Sequence, residues 1–433
     1  MSGSLHRILG LGFGLAVIVG STLGIGILRT PGLVAGQLGT AQAILAVWII
    51  GGAYTLIGAA CLAELGTMLP EAGGYYVYAR RAFGETAGFA VGWTDWLTYC
   101  AVLGYISIGM AEFIAVLAPS LSGHVRLVAT LSLAGFVALQ WGGVRVSSRF
   151  QEAATAIKFL AFLLLVGASL VLAPAPASGA AAVVTGGFAG SIVALQSVVI
   201  TYGGWQSALY FTEEDRDPSQ NLPRSMIGGV AAVIAVYLLV NVALLRTLPI
   251  ADLGRSTLAA ADAADAVFGA RGRQFITVLS IVSLPPLLNA IMMIGTRILF
   301  ALGRDGLVVR GAATVNAGGT PTVAMLITTL GALAMIATGT FQRLVAVASF
   351  FLALNYLVCC CALVVLRRRE PGLARPFRAW GYPWSAAVVL AGAAAFLAGA
   401  LAADTWNALA ALGLLLAGVA WQLARRSPNP SRE

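Results

Sequence analysis

The chain has 433 residues, of which 59% are hydrophobic and only 10% charged, whereas an ordinary soluble domain carries about 25% charged residues. That composition excludes a soluble multi-domain protein, whose linkers and outer helix faces have to be polar. The net charge of +9 would suit nucleic acid, but in so apolar a chain the basic residues mark the loops on one side of a membrane, and no nucleic-acid partner is expected.

Apolar runs of about 20 residues, each able to cross about 30 Å of hydrocarbon, recur from end to end. The first covers residues 8–36 and has no small-residue cleavage site after its apolar stretch, so it reads as a retained helix and not a signal peptide. It is interrupted at Val19-Gly20-Ser21-Thr22-Leu23-Gly24-Ile25-Gly26-Ile27. Each glycine costs about 1 kcal/mol relative to alanine inside a helix, so this cluster predicts a break at mid-membrane depth. Spans at 41–69, 87–118, 125–143 and 153–173 follow. The sixth, 188–213, is interrupted like the first, at Ile200-Thr201-Tyr202-Gly203-Gly204-Trp205-Gln206. The remaining spans lie at 224–247, 274–302, 321–338, 343–366, 384–402 and 405–424, twelve in all.

Stretches such as Phe159–Leu172 and Val230–Leu245 do not alternate as barrel strands do, so the expected fold is an all-α membrane protein. With the N-terminus inside, Arg80, Arg81, Arg145, Arg149, Arg304, Arg367–Arg369, Arg375, Arg378 and others fall in the cytoplasm, and Arg29, Arg126, Arg246, Arg255, Arg271, Arg273 and Arg343 fall outside. The bias predicts cytoplasmic termini in an inner, cytoplasmic membrane. Either glycine cluster alone is equally well explained by close helix packing. Together they open two five-span halves, and corresponding interrupted helices point to a transporter of inverted repeats. The expected organisation is a single transporter domain over 1–433. Residues 8–173 and 188–366 form its repeats and 384–424 an accessory hairpin.

Several polar residues fall inside apolar runs, where ionisable groups are functional candidates by default. Asp95 and Glu112 lie in the third span. Glu64 lies near a helix end and reads as the anchor of a loop arginine; Arg297 reads as paired or snorkelling at the inner end of the eighth span. Trp93, Trp96 and Trp205 read as pore lining or as packing. Lys158 is the only lysine among 26 basic residues, and it opens the fifth span. The five cysteines and the two separated histidines form no metal site, and neither cofactor nor metal is expected.

The string from Gly20 to Ile27, continuing Leu28-Arg29-Thr30-Pro31-Gly32, resembles a signature of the amino acid–polyamine–organocation transporter superfamily, in particular its L-amino acid transporter-like branch. Similar strings follow in order: Ala63-Glu64-Leu65-Gly66 through Gly73-Gly74-Tyr75, Tyr202-Gly203-Gly204-Trp205 with Glu213-Glu214, Asn221-Leu222-Pro223-Arg224, Asn289 with Arg297 through Gly306, Gly319-Thr320-Pro321, and Arg375-Pro376-Phe377-Arg378 with Gly381-Tyr382-Pro383. The resemblance implies a LeuT-type five-plus-five inverted repeat with broken helices 1 and 6. It implies a secondary active transporter of amino acids, working by sodium-independent exchange or proton-coupled uptake, with polyamines or other organocations as the alternative cargo.

By that resemblance the N–H groups of Ile25 and Gly26 hold the substrate carboxylate, and the carbonyls of Thr22, Ile200 and Gly203 hold its amine. Gly24 and Gly204 are likewise implied to be substrate-binding residues, and Thr201, Trp205 and Gln206 supply side-chain contacts. Lys158 is implied to replace a sodium ion, reaching a carbonyl near Gly20 and the hydroxyl of Ser283. Two departures stand out: Ile200 occupies the place of a gating aromatic, and Pro285-Pro286 implies a kinked eighth helix.

An ATP-driven pump would need a phosphate-binding lysine in a Gly-rich loop, which Lys158 is not. A channel would not need paired broken helices. The expected partners are the lipid bilayer, a small amino acid substrate and, as a candidate coupling ion, the proton; the oligomeric state is left open.

Overall fold

The computed structural model describes residues 4–172, 187–338, 341–403 and 405–426. Among them regular structure is helical, apart from one isolated bridge between Leu9 and Asp215. The first span is two helices, α1 (Leu11–Thr22) and α2 (Gly26–Leu38), bent by 47° at the glycine cluster. α3 (Ala41–Met68) starts at Thr40, whose hydroxyl accepts the Ala43 N–H. α4 (Tyr75–Phe83), α5 (Glu85–Leu117), α6 (Val125–Trp141) and α7 (Val144–Leu172) follow. α8 (Gly187–Thr201) ends at the second glycine cluster, and the chain continues as a 3-10 helix over Trp205–Phe211.

α9 (Pro218–Thr247) precedes two short helices, α10 (Ile250–Arg255) and α11 (Ala259–Phe268); then come α12 (Gly272–Arg304), α13 (Thr322–Thr338), α14 (Phe341–Arg369), α15 (Trp384–Ala403) and α16 (Thr405–Arg426). Among the described residues nine helices are long and apolar enough to cross a membrane, and the bent α1–α2 pair makes ten. The shorter apolar helices Thr322–Ala337 and Trp384–Gly399 lie where the ninth and eleventh spans were expected.

Some boundaries differ from expectation. α7 begins at Val144 and not near 153, because Arg145 and Arg149 sit on the exposed side of its first turns while Ser147 and Gln151 are buried against the bundle. α9 begins at Pro218 and not near 224: Asp217 caps it by accepting the Gln220 N–H, and proline is favourable in a first turn. Pro285 and Pro286 lie within the continuous α12.

The bundle buries α1 against α7, α9 and α12, and α5 against α4, α12 and α14. Large apolar side chains such as Leu131, Leu164, Val171 and Leu330 remain exposed on its outside, as a lipid-facing surface requires. Arg273 at the start of α12 pairs with Asp262 and Asp265 of α11, and the other charged pairs gather at the arginine-rich end. Glu64 accepts Arg367 Nε at 2.8 Å and the Ala379 N–H at 2.7 Å, and lies 3.4 Å from Arg375. Arg297 is fully buried and grips both oxygens of Glu214 at 2.9 Å. Arg304 reaches Glu213 at 2.8 Å, Arg81 pairs with Glu370, and Asp305 takes Arg80 and the Tyr76 hydroxyl.

Candidate functional site

Each glycine cluster ends a helix inside the bundle and so leaves backbone groups without helical partners. In α1 the last regular bond runs from the Leu23 N–H to the Val19 carbonyl. The carbonyls of Gly20, Ser21 and Thr22 are then beyond the reach of their own helix. Each meets a different neighbour. Lys158 Nζ donates to Gly20 at 2.9 Å, the Ser21 carbonyl lies against Gly204, and the Tyr237 hydroxyl donates to Thr22 at 2.7 Å. The same Tyr237 oxygen lies 3.0 Å from the carbonyl of Thr201, the last residue of α8. One side chain thus joins the two breaks.

The second break is tight. The Gly203 N–H returns to the Ile200 carbonyl at 2.9 Å, and Gly204 takes φ +116°, open to glycine and rarely to other residues. A Cβ on Gly204 would sit 2.6 Å from the Ser21 carbonyl oxygen, so the two unwound segments touch backbone to backbone. The Thr201 hydroxyl lies 2.8 Å from that of Thr30, and its methyl 3.0 Å from the Cβ position of Gly26, fastening α8 to α2. α2 in turn packs on α10 through glycine backbone, Gly36 on Gly254.

At the start of α2 the Leu28 N–H turns back to the Ile25 carbonyl at 3.0 Å, whereas the N–H groups of Ile25 and Gly26 have no intrahelical acceptor; Ile25 is half-buried and Gly26 exposed. A positive helix end with free N–H groups suits a carboxylate. The hydroxyls of Ser21 and Thr22 are buried and have no hydrogen-bond partner among the described residues. Gly24 has no protein atom nearer than 3.9 Å to its Cβ position.

A cavity of about 100 Å³ adjoins the second break. Ile200, Gly203, Trp205 and Gln206 line it from the break, with Tyr75, Tyr356 and Phe396 among the residues opposite. No Asp, Glu, Lys or Arg is among the lining residues. Trp205 packs edge-on against Tyr356 with ring centres 5.6 Å apart. The first break does not line this cavity; it is joined to it through the Ser21–Gly204 contact.

Lys158 is fully buried, and its Nζ bridges the Gly20 carbonyl and the Ser283 carbonyl, both at 2.9 Å. The partner in α12 is the carbonyl and not the expected hydroxyl, because the Ser283 hydroxyl donates to Leu279 of its own helix at 2.6 Å. Pro285 and Pro286 bring no N–H donors to this stretch of α12, which loosens its carbonyl ladder beside the ammonium. Lys158 belongs to a buried polar stripe on α7. Gln151 accepts the Asn289 amide at 2.9 Å, and Thr155 donates to the Ala16 carbonyl at 3.0 Å.

Sequence reasoning passed over Gln151 and Thr155, although their helical spacing from Lys158 was a usable signal. It also passed over Tyr237, a single phenol within a mostly apolar span. Trp93 and Trp96 are packing residues, donating to the Leu414 carbonyl and the Thr328 hydroxyl. Glu112 is exposed.

Replacing Tyr237 with Phe removes a buried donor that stands within reach of both breaks. A buried carbonyl left without its donor costs about 1–3 kcal/mol. The variant is therefore expected to unfold at lower temperature in detergent and to turn over several-fold more slowly. Unchanged melting and turnover would show that the bridge is dispensable.

Two interrupted helices in backbone contact, inside an apolar bundle and beside a cavity whose lining carries no charge, are the arrangement of a membrane transporter. Unwound backbone at membrane depth is tolerated only where protein or a water-filled cavity surrounds it. The chain belongs to the amino acid permease family of the amino acid–polyamine–organocation superfamily, whose family model matches residues 14–419. It is 28% identical over 428 residues to the serine/threonine exchanger SteT of Bacillus subtilis (strain 168), covering 96% of each chain. It is 30% identical over 402 residues to the large neutral amino acids transporter small subunit 2 of Mus musculus, covering 87% of this chain and 73% of the relative. The Asc-type amino acid transporter 1 of Mus musculus is 29% identical over 391 residues, with the same coverage.

Proposed function

We propose that this protein exchanges neutral amino acids across the cell membrane without sodium, binding the zwitterion at the two breaks and its side chain in the adjoining cavity. The observation that carries this reading is the pairing of the breaks, Ser21 against Gly204, beside a lining without charge. Free N–H groups at Ile25 and Gly26 suit the carboxylate, and the unwound carbonyls with the unpartnered Ser21 and Thr22 hydroxyls suit the ammonium. A polyamine would need carboxylates in the lining. In this reading the Lys158 ammonium fills the place of a sodium ion between α1 and α12, with Gly20 and Ser283 as its partners. Residues 8–173 and 188–366 are the inverted repeats, with 384–424 outside them. The arginine-rich end faces the cytoplasm, with both termini.

The test is uptake of labelled neutral amino acids by proteoliposomes loaded with unlabelled substrate. Saturable uptake that needs an internal amino acid, persists when sodium is replaced by choline and resists competition by putrescine is the expected result. Uptake that requires sodium, equal competition by polyamines, or ohmic single-channel currents would each overturn it.

A further inference from the structure

Asp95, in the first half of α5, is used neither by the breaks nor by the Lys158 bridge. Its side chain is fully buried. Oδ2 accepts the Tyr210 hydroxyl at 2.8 Å, while Oδ1 has no hydrogen-bond partner among the described residues. The arginines at that end of the bundle are committed elsewhere: Arg297 to Glu214, Arg304 to Glu213 and Glu71, and Arg367 and Arg375 to Glu64.

The titratable groups that face Asp95 are Tyr99 one turn along α5, Tyr210 from the 3-10 helix, Tyr75 from α4 and Cys359 from α14. α13 carries no titratable residue. The charges of α6 and α16 sit at their ends, as do Glu85 and Glu112 towards the ends of α5. Asp95 is thus a buried carboxyl surrounded by phenols and a thiol, with one oxygen unoccupied and no cation paired to it.

A bare carboxylate without water or a cation is expensive in such surroundings, and a proton on Oδ1 removes that cost. The location gives such a proton a purpose. Tyr210 belongs to the 3-10 helix that continues the second break, and Tyr75, whose ring centre lies 5.8 Å from that of Tyr210, lines the substrate cavity. Displacement of the 3-10 helix would withdraw the Tyr210 hydroxyl and admit water to Asp95.

We propose that Asp95 holds an exchangeable proton, present while Tyr210 is docked and released to water when the inner half of the second broken helix moves. The step breaks one O–H bond, leaves a carboxylate and passes the proton to water, with no further reactant. This inference rests on the carrier reading above and adds a proton to its cycle.

The test uses the full chain in proteoliposomes. Asp95→Asn keeps an acceptor for Tyr210 and fixes a donor where the proton sits. The wild type, preloaded with unlabelled amino acid, is expected to exchange at a rate that changes when the pH inside the vesicles is shifted against the outside. Asp95→Asn is expected to lose that response while still exchanging at equal pH. A pH jump should change the carboxylic-acid carbonyl band in infrared difference spectra of the wild type and not of the variant. Should the asparagine variant fail to fold, Tyr210→Phe serves instead and should displace the pH midpoint of that band. A wild type indifferent to pH, an Asp95→Asn protein that keeps the gradient response, or a band unmoved by either substitution overturns the proposal. Each of these leaves exchange at equal pH intact, whereas failure of the carrier reading would remove exchange itself.

Discussion

Lys158→Ala is expected to reduce transport by at least about tenfold, more in one direction than in the other, with no rescue by sodium. The ammonium closes two carbonyls on different helices, Gly20 in α1 and Ser283 in α12. Hydrogen bonds from a charged donor contribute about 1.5–3 kcal/mol, and two buried carbonyls would lose their donor at once. A deficit of 1.4 kcal/mol corresponds to about a factor of ten in an equilibrium, so even the lower bound produces that loss if the bridge favours one conformation of the carrier. The asymmetry follows because the bridge can strengthen only the states in which α1 and α12 are this close. Initial rates of uptake and of efflux, measured separately and compared with melting temperature in detergent, separate this from misfolding. Full activity of the alanine variant in both directions would remove Lys158 from the mechanism.

Gly204→Ala is expected to abolish binding altogether. Alanine at φ +116° carries backbone strain of about 1–3 kcal/mol, and its methyl would stand 2.6 Å from the Ser21 carbonyl oxygen. That obstacle is backbone on both sides, so no rotamer change relieves it, and the two breaks have to separate. Gly24→Ala is the informative contrast. With the nearest protein atom 3.9 Å from its Cβ position, the fold accepts a methyl there, and any loss of affinity belongs to the ligand. Equilibrium binding of a labelled amino acid to both purified variants checks the pair. Wild-type affinity in Gly204→Ala would mean that the contact with Ser21 does not shape the site.

The spans were legible because hydrocarbon demands long apolar helices, and the breaks because two glycine clusters interrupt corresponding spans of two five-span halves. The Lys158 contact with Gly20 was legible through resemblance and chemistry together: a single lysine at a helix face needs acceptors, and a broken helix supplies them. What the sequence withheld was the choice among acceptors. Ser283 carries a hydroxyl and a carbonyl, and only the packing of α12 reveals that the hydroxyl is spent on Leu279. The helices α4, α10 and α11 were missed because helices of six to ten residues carry no apolar run of membrane-spanning length. Tyr237 was missed for the opposite reason: one hydroxyl in a long apolar span does not alter its periodicity, and its partners lie 215 and 36 residues away.

That hydroxyl has a single hydrogen. It stands 2.7 Å from the Thr22 carbonyl and 3.0 Å from the Thr201 carbonyl, but it can donate to only one of them at a time. Whichever break receives the hydrogen is held, and the other keeps a lone pair facing the gap. A rotation of one C–O bond, with no movement of the backbone, therefore reverses which half-helix is anchored and which is left with an open acceptor.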